Sequence, residues 1–387
     1  MLKQVQHDNT FWTFPFSESP SSYAAKVQHD VLRMLALDSI YKKISDILSS
    51  NTLPVYDVFF ELLNEVSELL ENEKTGASGY RPAASDGGVG GLLDFHKDEL
   101  PVVVIPDFHA RPNFLQNILN YKIFDDATVY EAIAEARLRL LSVGDILHTE
   151  RGTRERWIAA EAEFNSEIFT GPAMSAEMLE GLSLWCALME LKKSYPDRVH
   201  ILKGNHENIL NETGGGDFAF RKLADEGEMC RCFVQEYYGD DILYLINCIE
   251  KSLPLYFFGK RCAVSHAEPM RVFSREELID ARLYSGVVKG LIWTNNGEAM
   301  PGSAAGTVSR LFESSVAAGE NDVKKSGSVY VPEGYVSLGG HRPVTGNYKI
   351  LQNGTYIQIH NPARQNIVFV RPERSINLES DILGVAI

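Results

Sequence analysis

Five apolar runs in this chain end on residues able to bind metal. Asp107 and His109 follow LPVVVIP, and Gly144-Asp145 follows LLSV. Asn205 and His206 lie in GNHE after VHILK, His266 follows CAVS, and His341 follows VSLGG. Carboxylate, imidazole and amide oxygen or nitrogen are ligands that divalent metals such as manganese, iron or zinc accept. Ionised aspartates just beyond a buried run are costly unless paired, and cations offset that cost. The five cysteines, Cys186, Cys230, Cys232, Cys248 and Cys262, are scattered and form no CxxC pair. Structural zinc and iron–sulfur clusters are therefore disfavoured, and reduced, buried thiols are expected.

The elements that must position these residues are short. Each run is β-branched, four to seven residues long, and bounded by glycine, proline or polar residues, which predicts a buried strand. Helical spacing alternates with them, as in RERWIAAEAEFNSEIF and MSAEMLEGLSLWCALMELKKSYP between Thr153 and Tyr195. Layered α/β folds place chemistry at the carboxyl ends of strands, where side chains leave the packed sheet but the backbone still holds them. Two amphipathic helices are expected between about Ser22 and Lys74, followed by the glycine- and serine-rich stretch TGASGYRPAASDGGVGG. The expected organisation is an N-terminal helical extension and linker over 1–95 and a catalytic domain over 96–387. NETGGGDFAF and the segment from 296 to 328 have the composition of long loops, candidate walls of a cleft.

Composition excludes several classes. A net charge of −15 repels polyanions, so neither nucleic acid nor an anionic membrane surface is an expected partner. No apolar run approaches the ~18 residues a membrane span needs, and the first twenty residues lack a cationic segment leading into an apolar one. A soluble cytoplasmic protein is the expectation.

The order DxH, GD, GNHE, a lone histidine after a strand, then GH resembles the calcineurin-like metallophosphoesterase superfamily. KGNHEN and GHRPV are most similar to the phosphoprotein phosphatase family and its bacterial relatives. The resemblance runs from Asp107 to His341. It implies a four-layer αββα sandwich (α/β, α+β) holding two divalent ions. Asp107 and His109 would bind the first, Asp145 would bridge both, and Asn205, His266 and His341 would complete the second. Two metals about 3.5–4 Å apart can lower the pKa of a shared water from 15.7 towards ~7. The resemblance thus implies in-line attack on phosphorus by a bridging hydroxide, with His206 as general acid.

The chain departs from the family where GDxVDRG is replaced by GDILHTERG, Gly144 to Gly152, two residues longer. In one register, favoured here, Glu150 orients His206 and Arg151 faces the phosphate; in the other, His148 takes the orienting place. Lys203, before GNHE, keeps the charge of the family's usual arginine but loses its planar fork. Pro343 stands where broader-superfamily members carry a second histidine. Arg111, Arg154 and Arg342 read as surface residues, and His7, His29, His96, His200 and His360 fit no cluster. The expected reaction is hydrolysis of a phosphomonoester, either a phosphorylated small molecule or phosphoserine and phosphothreonine on protein. The alternatives are a nucleotide polyphosphate hydrolase of the dinucleoside tetraphosphatase kind, and a metal-binding scaffold without turnover.

Overall fold

A computed structural model describes residues 37–73, 79–150, 152–317 and 331–386. His7, His29 and Arg151 lie outside the described residues, as does most of the first expected helix. The chain divides into two compact units, 1–43 and 44–387; the described residues of the first, 37–43, are helical.

Two sheets form the centre of the second unit. One has six strands in the order β1 (Leu92–Phe95), β7 (Tyr256–Gly259), β8 (Cys262–Ser265), β9 (Val336–Gly339), β11 (Tyr356–Gln358) and β10 (Lys349–Leu351). The other has five, in the order β13 (Ile382–Gly384), β12 (Asn366–Val370), β2 (Val102–Ile105), β5 (Arg139–Ser142) and β6 (Val199–Ile201). A small hairpin joins β3 (Lys122–Phe124) and β4 (Ala127–Thr128).

Strand alternation explains the layering. Successive side chains point to opposite faces, so Leu93 and Phe257 enter the core between the sheets while Leu92, Tyr256 and Phe258 enter a second core on the outer face. The inner core joins both sheets through Val102, Val104, Leu141, Val264, Leu338, Ile357 and Val368. The outer one is covered by helices Arg275–Ile279, Ser285–Ile292 and Ser303–Ala317. Helix Tyr56–Asn72 packs on Asp240–Ser252 and Pro172–Ser194. Two sheets face to face with helices outside make the expected αββα sandwich.

The helices expected between Thr153 and Tyr195 are present as Arg154–Asn165 and Pro172–Ser194. The segment from 296 to 328 differs from expectation: Ser303–Ala317 is helical. Its serines, alanines and glycines read as loop, but Ala304, Val308 and Leu311 recur at helical spacing and are buried. All five cysteines are free. Among the described residues, no helix is long and apolar enough to cross a membrane.

The sheet order does the positioning. β2, β5 and β6 run parallel in one sheet, and β8, β9 and β11 run parallel in the other. Asp107, Asp145, Asn205, His266, His341 and His360 follow the carboxyl ends of these six strands.

Candidate metal centre

The loops beyond β2 and β5 are tied to each other. His109 N and Ala110 N donate to Asp145 O and Ile146 O, both at 2.8 Å. Glu207, the last residue of GNHE, accepts from the backbone amides of Asp145 (2.8 Å), Ile146 (2.8 Å) and Gly204 (2.6 Å), clamping the third loop to the second. The Arg111 guanidinium donates to the carbonyls of Asp107 (2.7 Å), Phe108 (2.8 Å) and Arg364 (3.0 Å). Arg111 is therefore a backbone clamp rather than the surface group its sequence position suggests.

These loops hold their ligands in uncommon conformations. His109, Ala110, Asp145, His148 and His341 have φ between 45° and 72°. Left-handed backbone at non-glycine residues costs roughly 1–3 kcal/mol each and gathers where function imposes it. Glycines make the close approaches possible. A Cβ on Gly340 would lie 2.1 Å from Asp107 Oδ1, and one on Gly204 would lie 2.2 Å from Asp145 Oδ1.

The side chains converge. His266 Nδ1 is 3.6 Å from Asp107 Oδ1, and its Nε2 is 3.6 Å from Asp145 Oδ1. Asn205 Oδ1 is 2.9 Å from His266 Nε2 and 2.8 Å from His341 Nδ1. His109 Nε2 is 3.7 Å from Asp145 Oδ2. His206 donates its backbone amide to Asp145 Oδ1 at 2.9 Å and places Nε2 3.8 Å from Asp145 Oδ2. All six expected ligands and His206 are thus at one place.

His360, assigned to no cluster from sequence, joins them. Its Nδ1 lies 3.1 Å from Asp107 Oδ2 and its Nε2 lies 3.0 Å from Glu150 Oε2. Two ligand triads result, Asp107–His109–His360 and Asp107–Asp145–His266, each with its ligand atoms within 4.8 Å of one another. The sequence signal was available: YIQIHNP is a sixth apolar run ending on a potential ligand.

Glu150 is in the cluster, but not against His206. Its carboxylate meets His360, His109 Nε2 (3.5 Å) and the Lys222 ammonium. His148 does not hydrogen-bond His206 either; the two rings are 4.8 Å apart and tilted by 48°. The Lys203 ammonium donates to the carbonyl of Glu207 and pairs with Asp217 at 2.9 Å, neither of which belongs to the triads.

Burial sets the electrostatics. It raises the Asp107 carboxyl well above the usual carboxylate range, with Asp145 adding to the effect, and pushes Asp145 up to about 7. It lowers His266 to about 4 and holds His109 and His206 well below the ordinary imidazole range, so these rings are neutral and ligand-ready. Burial would raise Glu150 too, but His109 and His360 bring it below its ordinary value.

The donor set fits divalent cations. Both Asp107 oxygens, His360 Nδ1 and His341 Nε2 are buried without a hydrogen bond, although Asp107 Oδ2 and His360 Nδ1 are close neighbours. Two ligand atoms each about 2.0–2.2 Å from one ion would stand at about this spacing. A buried polar group left unpaired is otherwise costly.

No protein-family model and no curated protein matches the chain. Solved structures do. A protein serine/threonine phosphatase from Saccharomyces cerevisiae, described as similar to human phosphatase PP5, superposes with a TM-score of 0.50 at 12% identity, covering 85% of this chain and 89% of that one. The fold is the calcineurin-like sandwich. A cold-active protein-tyrosine phosphatase of a psychrophilic Shewanella species aligns with a TM-score of 0.36 at 14% identity, over 74% of this chain and 80% of that one. At this identity the likeness is one of fold, and the buried triads that share Asp107 are groups that could hold metal ions.

Proposed function

We propose that this chain is a dinuclear metal-dependent phosphoesterase of the phosphoprotein phosphatase kind, acting on a phosphomonoester. The observation that carries the reading is the pair of triads sharing Asp107 at the meeting of two sheets' strand ends. The yeast structure of like fold is a serine/threonine phosphatase, which favours phosphoserine or phosphothreonine as the substrate class.

Asp107, His109 and His360 would hold one divalent ion, and Asn205, His266 and His341 the other, with Asp145 between them. Manganese, iron or zinc suits such a set. Two such ions supply positive charge to phosphate oxygens and acidify a bound water. The chain's own residues orient and move protons. Glu150 fixes the His360 ring through Nε2, and the His148 carbonyl fixes the His109 ring through Nδ1. His206 would act as the general acid, entering the reaction protonated and giving that proton to the departing alkoxide. Lys203 and Arg151 remain candidates for holding the phosphate.

The test is hydrolysis of p-nitrophenyl phosphate and of a dinucleoside tetraphosphate with added manganese, by wild type and by Asp145→Asn. Turnover of the first, lost in the variant, is expected. Turnover of the second alone would replace this reading with a nucleotide hydrolase. Bound metal with turnover of neither would make the chain a scaffold.

A further inference from the structure

A third group of ligands overlaps the proposed centre and adds His148, which the proposed function does not use. His109, His148 and His206 bring one nitrogen each within 4.8 Å of one another. Their ring centroids are 6.1, 4.8 and 5.1 Å apart for the pairs 109–148, 148–206 and 109–206. Both His148 nitrogens and His206 Nδ1 are buried and make no hydrogen bond.

Aromatic rings and a buried carboxylate hold two of the three imidazoles in place. The His148 ring lies 5.0 Å from Trp157, and His206 stacks on Phe220 at 4.5 Å. Glu226, fully buried, places Oε1 3.4 Å from His148 Nε2. A carboxylate behind a ligating imidazole fixes its orientation and raises its basicity. Glu226 is itself held by the backbone amides of Lys222 (2.7 Å) and Leu223 (2.5 Å). The His148 loop is anchored independently, because Glu177 accepts from Thr149 N (2.7 Å) and Oγ1 (2.6 Å).

We propose that His109, His148 and His206 form an alternative cation site, selective for zinc-class ions, that competes with the first metal position and silences the enzyme when filled. Competition follows from His109. Its Nδ1 is engaged with His148 O at 3.0 Å, so only Nε2 is left, and one lone pair cannot serve two ions. Selectivity follows from the donors: three imidazoles suit zinc, copper, nickel or iron, whereas each triad that includes Asp107 adds carboxylate oxygen and also suits manganese. Silencing rests on the proposed role of His206, which cannot deliver a proton while ligating.

Crystals of the wild-type protein grown with zinc, measured at the zinc absorption edge, test the site without reference to activity. Anomalous density about 2.0–2.1 Å from a nitrogen of all three rings is expected; zinc density confined to the carboxylate triads overturns the proposal. In solution, His148→Asn, which tolerates the left-handed backbone at this position, is compared with wild type by competition against a chromophoric zinc chelator. Zinc affinity should fall at least about tenfold, the loss typical even of residues behind a ligand, while manganese affinity is unchanged. Equal zinc affinity in the two proteins overturns the proposal. Should that variant not fold, Glu226→Gln, which keeps an acceptor for one of the two amides and removes the charge behind His148, should weaken zinc about tenfold, and equal affinity again overturns the proposal. The two readings fail separately. Zinc at the three histidines in a protein that hydrolyses no phosphate ester leaves this site standing, and manganese-dependent turnover without such density leaves only the enzyme.

Discussion

A methyl group on Gly340 would sit 2.1 Å from Asp107 Oδ1, and the backbone there is not left-handed, so the first thing alanine meets is the Asp107 carboxylate. Gly340→Ala should displace Asp107, the side chain common to both triads, and lower manganese affinity about 10–100-fold while the circular dichroism spectrum is retained. Manganese affinity equal to wild type by titration calorimetry would show that Asp107 is not a ligand. At this scale the sequence was largely readable, because Asp, His and Asn after apolar runs are recognisable one at a time. His360 was not recognised, since a single histidine after an apolar alternation looks like an interior residue until Asp107 is seen 3.1 Å away. The partner of Glu150 was also out of reach: whether a nine-residue loop absorbs two extra residues depends on His148 taking φ 72°, which no local pattern specifies.

Helix Asp240–Ser252 and the loop after GNHE are joined by one buried carboxylate. Glu250 Oε2 accepts from Ile209 N at 2.8 Å, while Oε1 has no hydrogen bond. Burial pushes Glu250 up to about 8, above its ordinary 4.5. The folded state therefore holds this proton more tightly than the unfolded chain does. Its contribution to stability is complete below about 4.5 and is lost as pH rises through about 8, a loss on the order of a few kcal/mol. Glu250→Gln keeps an acceptor for Ile209 and cannot ionise, so its stability should fall less than that of wild type between pH 5 and 8.5. Urea titrations at the two pH values, with metal held constant, make the comparison; parallel losses would place the alkaline sensitivity elsewhere. Elements of this kind were partly legible. Strong apolar periodicity gave the helices between Thr153 and Tyr195, whereas Ser303–Ala317 was hidden by a loop-like composition that only its buried face, Ala304, Val308 and Leu311, contradicts.

For the molecule as a whole, the two sheets meet where their strand-end loops carry acids. Asp107 and Asp145 are desolvated together in a chain already carrying a charge of −15, so the centre opposes folding whenever it ionises without a counter-charge. A divalent ion that binds only the folded arrangement reverses this. At a free concentration 100 times its dissociation constant, such an ion adds about 2.7 kcal/mol to stability. Scanning calorimetry should show the melting temperature rising by a few degrees on addition of manganese, and falling again with a chelator. Asp145→Asn removes one of the two charges, so the apoprotein should melt no lower than the wild-type apoprotein, yet gain much less from manganese. That crossed pattern separates a metal centre from a merely structural acid pair, for which the substitution would be neutral or stabilising and manganese would move neither protein.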